Sequence, residues 1–121
     1  YKVFVMLIII LLIILDQLAK YFFGNVKNYG AAFGILQGYT TFLIIISLIV
    51  ISVCIYYYKN KNLRLSLSFI LAGTMSNLID RILLGYVRDF IDLRIWPVFN
   101  LADMFNVIGV VLLIYINLKK K

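Results

Sequence analysis

Four long, mainly apolar runs constrain this chain more than anything else in it. They read as Val3–Phe23, Tyr39–Tyr58, Leu65–Leu84 and Val98–Leu118. Each holds about 20 residues, enough to cross roughly 30 Å of hydrocarbon as a helix rising about 1.5 Å per residue. They are too long for core strands. The chain is 64% hydrophobic, where a soluble domain averages about 45–50%. The expected fold is an all-α integral membrane protein, a four-transmembrane-helix bundle of one domain over residues 1–121.

Between the runs lie an outer loop at Gly24–Gly38, a short basic turn at Lys59–Arg64 and a second outer loop at Gly85–Pro97. Gly85 suits a helix C-terminus because it tolerates the left-handed conformation. Pro97 suits the first turn of the next helix, where no backbone donor is lost. The first run does not read as a cleavable signal peptide, because it lacks a small-residue cleavage site and polar residues follow it directly. The opening on Tyr1 is read as loss of an initiator methionine or a short leader. Cys54 has no partner cysteine and reads as a small core or lipid-facing residue.

Charge sets the expected topology. Lys2, Lys59, Lys61, Arg64, Lys119, Lys120 and Lys121 share one side with no acid. On the other side Lys20, Lys27, Arg81, Arg88 and Arg94 balance Asp16, Asp80, Asp89, Asp92 and Asp103. The positive-inside rule places both termini in the cytoplasm, with short extracytoplasmic loops and every acid on the outer half. Tyr56, Tyr57 and Tyr58 read as one interfacial belt and Trp96 as part of the other. The cations flank apolar runs instead of forming a basic face, so the net charge of +7 does not point to nucleic acid.

The polar residues share a depth. Counting the rise along each span puts Asp16 about 20 Å from Val3, and Asp80 and Asp103 each about 22 Å from the basic end of their own runs. Ionisable groups at that depth are costly and normally face the bundle interior or water. On the third span Gly73, Ser76, Asn77, Asp80 and Arg81 recur at helical spacing and make one polar stripe. Asp16–Lys20 and Asp80–Arg81 read as buried ion pairs linking helices, and Asp92 as a solvated charge beside Arg94. Asn106 receives no role.

Asp89 and Asp103 differ. Asp103 has no basic neighbour on its helix face, and Asp89 follows Gly85 on a segment able to turn back over the bundle. Arg88, in extended chain, points to the opposite face. Two carboxylates brought close cannot both ionise easily, so one keeps a proton and the pair becomes acid and base around a water. Proximity is not visible in a sequence, and other readings stand beside this one. They are a Ser76–Lys20 dyad competing with the Asp16–Lys20 pair, or a purely structural set of polar links. With no His, no Glu and one Cys, histidine triads and zinc sites have almost no ligands, and no metal or cofactor is expected.

The motifs resemble those of the lipoprotein signal peptidases, or signal peptidase II. Leu15-Asp16-Gln17-Leu18-Ala19-Lys20 is similar to the family's first block, and Asn28-Tyr29-Gly30-Ala31-Ala32-Phe33-Gly34 to its second. Gly73-Thr74-Met75-Ser76-Asn77-Leu78-Ile79-Asp80-Arg81 with Gly85-Tyr86-Val87-Arg88-Asp89-Phe90 resembles the third. Phe99-Asn100-Leu101-Ala102-Asp103 resembles the fourth. The resemblance implies a membrane aspartic endopeptidase that removes signal peptides from diacylglyceryl-modified prolipoproteins, cutting before the lipidated cysteine. It implies Asp89 and Asp103 as the catalytic dyad, with Asp16, Lys20, Asn28, Gly30, Asn77, Asp80, Arg81 and Asn100 in support or substrate binding, the Asn28 loop and Asn77 holding the substrate backbone. It further implies inhibition by globomycin, contact with membrane lipids, a monomer, and a multi-pass place in the bacterial cytoplasmic (inner) membrane with the active site near the extracytoplasmic face.

The chain departs from the family pattern in its shortened stretches from Lys20 to Asn28 and from Asp89 to Asp103, in Arg88, and in Met104-Phe105-Asn106. Relatives usually carry a β-rich cradle where the first stretch is cut. Two rivals follow from the same sequence. A small four-helix multidrug transporter would use an embedded glutamate, which this chain lacks. A non-catalytic lipoprotein-binding or scaffold protein would bind lipidated peptide or globomycin without turnover.

Overall fold

A computed structural model describes residues 2–120, the side chain of Phe33 excepted; Tyr1 and Lys121, the latter one of the seven cations on the basic side, lie outside the described residues. The order is α1 (Lys2–Phe23), β1 (Val26–Asn28), a 3-10 turn (Ala32–Gly34), α2 (Thr40–Tyr57), a second 3-10 turn (Lys61–Leu63), α3 (Arg64–Leu84), β2 (Val87–Asp89) and α4 (Leu101–Lys119). The described residues include four helices long and apolar enough to cross a membrane, as the sequence predicts.

The fourth helix starts later than its apolar run. Asn100 forms a capping box with Asp103, each side chain accepting from the other's backbone N–H, and the helix begins at Leu101. This pair satisfies two donors that the first turn of the helix would otherwise leave open. Pro97 therefore lies in the loop and not in the first turn. Gly85 closes α3 with φ +82°, the left-handed cap its position suggests.

The bundle is built around α3, which packs against α1, α2 and α4. About its span 61% of residues are buried, against 11–22% for the other three. The interior is strongly polar: thirteen polar or charged residues are buried beside twelve apolar ones among those described. Large apolar side chains such as Phe4, Leu11, Ile49, Val111 and Ile114 face outward. Lipid is the solvent that such a surface fits, and an interior of paired polar groups ties the helices together where the hydrophobic effect cannot. Between α3 and α4 a Cβ on Gly73 would strike the Ala102 carbonyl and Asn106, and one on Gly109 would strike Ile70 and the Ser66 carbonyl. These two glycines let the backbones approach closely.

The 24–38 segment, expected as bare loop, contributes a strand. β1 pairs antiparallel with β2, in the register Val26↔Asp89, Lys27↔Arg88 and Asn28↔Val87. A further bridge, Ile91↔Phe99, closes the second loop on itself. The 24–38 and 85–97 segments are thus hydrogen-bonded into a small platform over one end of the bundle.

Candidate active site

Asp103 comes from the first turn of α4, and Asp89 from the end of β2, which the left-handed turn at Gly85 folds back over the bundle. Both are buried, at 6% and 2% relative exposure. Asn100 joins them. Its amide nitrogen lies 2.9 Å from Asp89 Oδ1 and 3.1 Å from Asn77 Oδ1. Its backbone N–H donates to Asp103 Oδ2 at 3.1 Å. Asn77 donates from Nδ2 to Asp103 Oδ1 at 3.1 Å. Burial, and then the charge of Asp103, push the Asp89 carboxyl up to about 7, while Asn28, Lys20 and Asn100 pull it back.

Lys20 is buried; its ammonium donates to Asn77 Oδ1 at 2.9 Å and pairs with Asp16 Oδ2 at 2.7 Å and Asp80 Oδ2 at 3.4 Å. Asp16 also accepts from Ser76 Oγ at 2.6 Å and from the Ala102 backbone N–H at 3.0 Å. It therefore places a carboxylate on the open N-terminal turn of α4, where the helix dipole favours a negative charge. Ser76 and Lys20 both turn to Asp16, so the hydroxyl is committed to a carboxylate and not poised beside the amine.

The expected Asp80–Arg81 pair is replaced. Consecutive residues on a helix do not face one another. Asp80 instead accepts three hydrogen bonds from Arg88, one from its backbone and two from its guanidinium, at 2.9–3.2 Å. Arg81 turns to the 28–37 loop, donating to the Gly30 carbonyl at 3.3 Å, and its charge still acts on Asp103, Asp80 and Asp89. Arg88 points away from Asp89, as alternation along a strand requires, and its guanidinium also reaches Gln17 Oε1 at 2.7 Å. Hydrogen bonding to Asp80 holds the Arg88 guanidinium above its ordinary value.

Asn28 organises the 28–37 loop. Its Oδ1 accepts from the Gly30 N–H at 2.9 Å and from Gln37 Nε2 at 2.8 Å, and its Nδ2 donates to the Ala31 carbonyl at 2.8 Å. A Cβ on Gly30 would strike the Ile35 carbonyl, so this turn requires glycine. Asn106, left without a role by its sequence context, accepts from Thr74 Oγ1 at 3.2 Å across the α3–α4 seam.

The sequence reading missed Gln17, Arg88 and Gln37. Gln17 was detectable, as a polar residue inside an apolar run beside Asp16; its Nε2 lies 2.9 Å from Ser76 Oγ and 3.0 Å from Asp80 Oδ1. Gln37 carried no signal, since loop glutamines are ordinary. Arg88 stands out in the sequence as a departure from the family pattern, but nothing there marks Asp80 as its partner.

Three clefts meet this cluster. One of about 340 Å³ runs along α4 and is lined by Leu93, Trp96, Phe99, Asp103, Met104, Val107 and Ile108. A second, of about 180 Å³, lies among α2, α3 and α4 and reaches Asn77, Arg81 and Asp103. The third, of about 210 Å³, lies under the 28–37 loop beside Asn28, Gln37 and Asp89. Among the described residues no three His, Cys, Asp or Glu side chains converge as a metal site needs.

The family model described as Signal peptidase (SPase) II matches residues 23–119. The lipoprotein signal peptidase of Halothermothrix orenii is 43% identical over 133 aligned positions, covering 91% of this chain and 92% of that one. That of Staphylococcus aureus strain Newman is 37% identical over 141 positions, covering 93% and 86%. Both alignments are longer than the 121-residue chain, so these relatives carry residues it lacks. A solved bacterial membrane enzyme superposes with a TM-score of 0.87 at 35% identity, covering 95% of this chain and 87% of that one. A second gives 0.82 at 32% identity, covering 97% and 94%.

Proposed function

The chain belongs to the signal peptidase II family of bacterial membrane proteases, and from that premise we propose that Asp89 and Asp103 are the catalytic pair of an aspartic endopeptidase that cuts before a diacylglyceryl-modified cysteine. Family membership makes the substrate class lipoprotein signal peptides. The observation that carries the finer reading is Asn100 held between the two carboxylates, its side-chain amide on Asp89 and its backbone N–H on Asp103, with Asp89 raised to about 7 by burial and by Asp103.

A pair in that state holds one proton near neutral pH. The ionised carboxylate takes a proton from water as its oxygen attacks the scissile carbonyl carbon. The protonated partner gives its proton to the carbonyl oxygen. As the tetrahedral intermediate collapses, the C–N bond breaks and the leaving amine collects a proton from the pair. Asn77 and Asn100 hold the carboxylates in register, and Lys20 supplies positive charge behind Asn77. Asn77 is spent on that task, which leaves substrate backbone to the Asn28 loop.

The substrate's chemistry matches the clefts. Diacylglyceryl chains need an apolar trough that ends at the dyad, and the α4 groove has Asp103 in its wall. The extended residues around the cut need backbone partners, which the loop over Asp89 offers. In this reading the protein is a monomer of the bacterial cytoplasmic membrane with both termini in the cytoplasm. The dyad lies near the extracytoplasmic face, and globomycin-type inhibitors occupy the same clefts.

The test is cleavage of a diacylglyceryl prolipoprotein in lipid by the native chain, Asp89→Asn and Asp103→Asn. Cleavage before the modified cysteine that both substitutions abolish is the expected result. Activity that survives either one removes that residue from the dyad. A folded native chain that binds globomycin but never turns over is a binding protein instead.

A further inference from the structure

A second groove lies away from the dyad, at the basic end of the bundle. It encloses about 450 Å³ and is lined by Lys2, Met6, Ile9, Ile55, Tyr58, Lys59, Leu71 and Met75. α1 and α2 flank it and α3 forms its floor, since both flanking helices pack on α3. Its walls are aliphatic except at the mouth, where Lys2 and Lys59 stand.

The mouth is well supported. Tyr58 shares a 2.8 Å hydrogen bond with Ser68 Oγ, and its carbonyl accepts from Arg64 Nε at 2.8 Å. The Lys59 ammonium sits 4.3 Å over the Tyr56 ring, at the level of the tyrosine belt. Among the described residues Lys61, Arg64, Lys119 and Lys120 crowd the same end of the bundle, and no acid lies there.

We propose that this groove binds one anionic diacyl phospholipid, its phosphate between Lys2 and Lys59 and its chains along Met6, Ile9, Ile55, Leu71 and Met75. An apolar slot opening at a pair of cations is complementary to an anionic head on hydrocarbon tails, and a basic pocket between transmembrane helices is a recognised site for such lipids. Unbranched methionines suit chains that do not hold one shape. The bound lipid fills the gap between α1 and α2 and so braces the helix that carries Asp16 and Lys20. The site does not depend on the catalytic reading, because no residue of the dyad lines it.

Native mass spectrometry of the detergent-purified chain, offered equal phosphatidylglycerol and phosphatidylcholine, tests it. The native chain should retain one phosphatidylglycerol in clear preference. Lys2→Gln/Lys59→Gln should cut that preference by roughly tenfold, each lysine contributing a few-fold. Lys119→Gln/Lys120→Gln, which removes the same charge elsewhere at that end, should leave it intact. Met6→Trp, with both lysines present, should displace the lipid by filling the slot. Equal loss in the two lysine double variants would reduce the effect to bulk charge and overturn the site. So would retention by Met6→Trp, or no preference in the native chain.

Discussion

Asn100 and Asp103 hold each other across the first turn of α4: the Asn100 side-chain Oδ1 accepts from the Asp103 backbone N–H at 2.9 Å, and the Asp103 carboxylate accepts from the Asn100 backbone N–H at 3.1 Å. The same asparagine then spends its amide nitrogen on Asp89 and Asn77. A helix cap and the link to Asp89 are therefore one side chain. The cap gives the link its rigidity, because Asn100 cannot rotate without opening the helix end.

Asn100→Ala should cost about 1 kcal/mol for the cap and roughly 1–3 kcal/mol more for the acceptors left buried without a donor. Asn100→Ser restores the cap but is too short to reach Asp89. Thermal unfolding should thus improve from alanine to serine, while peptide cleavage stays at least about tenfold below native in both. Recovery of activity by serine would show that Asn100 only caps.

Arg88 neutralises Asp80, whose side chain is fully buried. Breaking a buried pair costs about 3–5 kcal/mol, and Lys20 at 3.4 Å still offers Asp80 a partner. Arg88→Gln is expected to lower stability toward the smaller end of that range, measured by unfolding in detergent. Arg88→Lys should recover part of it, since an ammonium cannot reproduce the forked contact to both Asp80 oxygens and to Gln17.

Asp89 binds its proton more tightly in the folded protein, at about 7, than in an unfolded chain at about 3.9. The stability this contributes is complete below about pH 4 and is lost as pH rises through about 7. The melting temperature should fall across that window in the native chain, and Asp89→Asn should flatten the slope. Cleavage should decline on the alkaline side with an apparent value near 7 that belongs to the pair. A rate flat to pH 9 would contradict a dyad that needs one proton.

Gly73 is one of two glycines at which α3 and α4 pack closely, its missing Cβ giving way to the Ala102 carbonyl. Gly73→Val should destabilise by about 1–3 kcal/mol through overpacking. It should also suppress cleavage, because the pushed segment is the first turn of α4, which carries Asp103. Gly38→Ala has open space around it but a positive φ of 84°. It should cost only about 1 kcal/mol of backbone strain and leave the dyad undisturbed.

Gln37→Ala removes the side chain that bonds Asn28 Oδ1 and the Gly34 carbonyl. The loop over Asp89 should loosen, raising KM several-fold with kcat little changed. An equal fall in kcat would place Gln37 closer to the chemistry than its contacts suggest.

Hydrophobic run length alone determined the four helices, because a helix is the local answer to about 20 apolar residues in lipid. Gly85 likewise declared its left-handed turn, since that conformation is a property of the residue. The shared depth of Asp16, Asp80 and Asp103 was legible from rise per residue, and the three are indeed joined to one network through Lys20 and Asn77. Tertiary structure decided which charge pairs with which. Asp80 chose Arg88 over its neighbour Arg81 because side chains meet through space and not along the chain. The start of α4 was settled by a cap and not by hydropathy, which moved Pro97 into the loop. The β1–β2 pairing was invisible because strands of three residues leave no periodic trace, yet it fixes the end of β2 and hence Asp89. The sequence carries the chemical groups and their heights in the membrane; only the folded chain brings the two carboxylates to one asparagine.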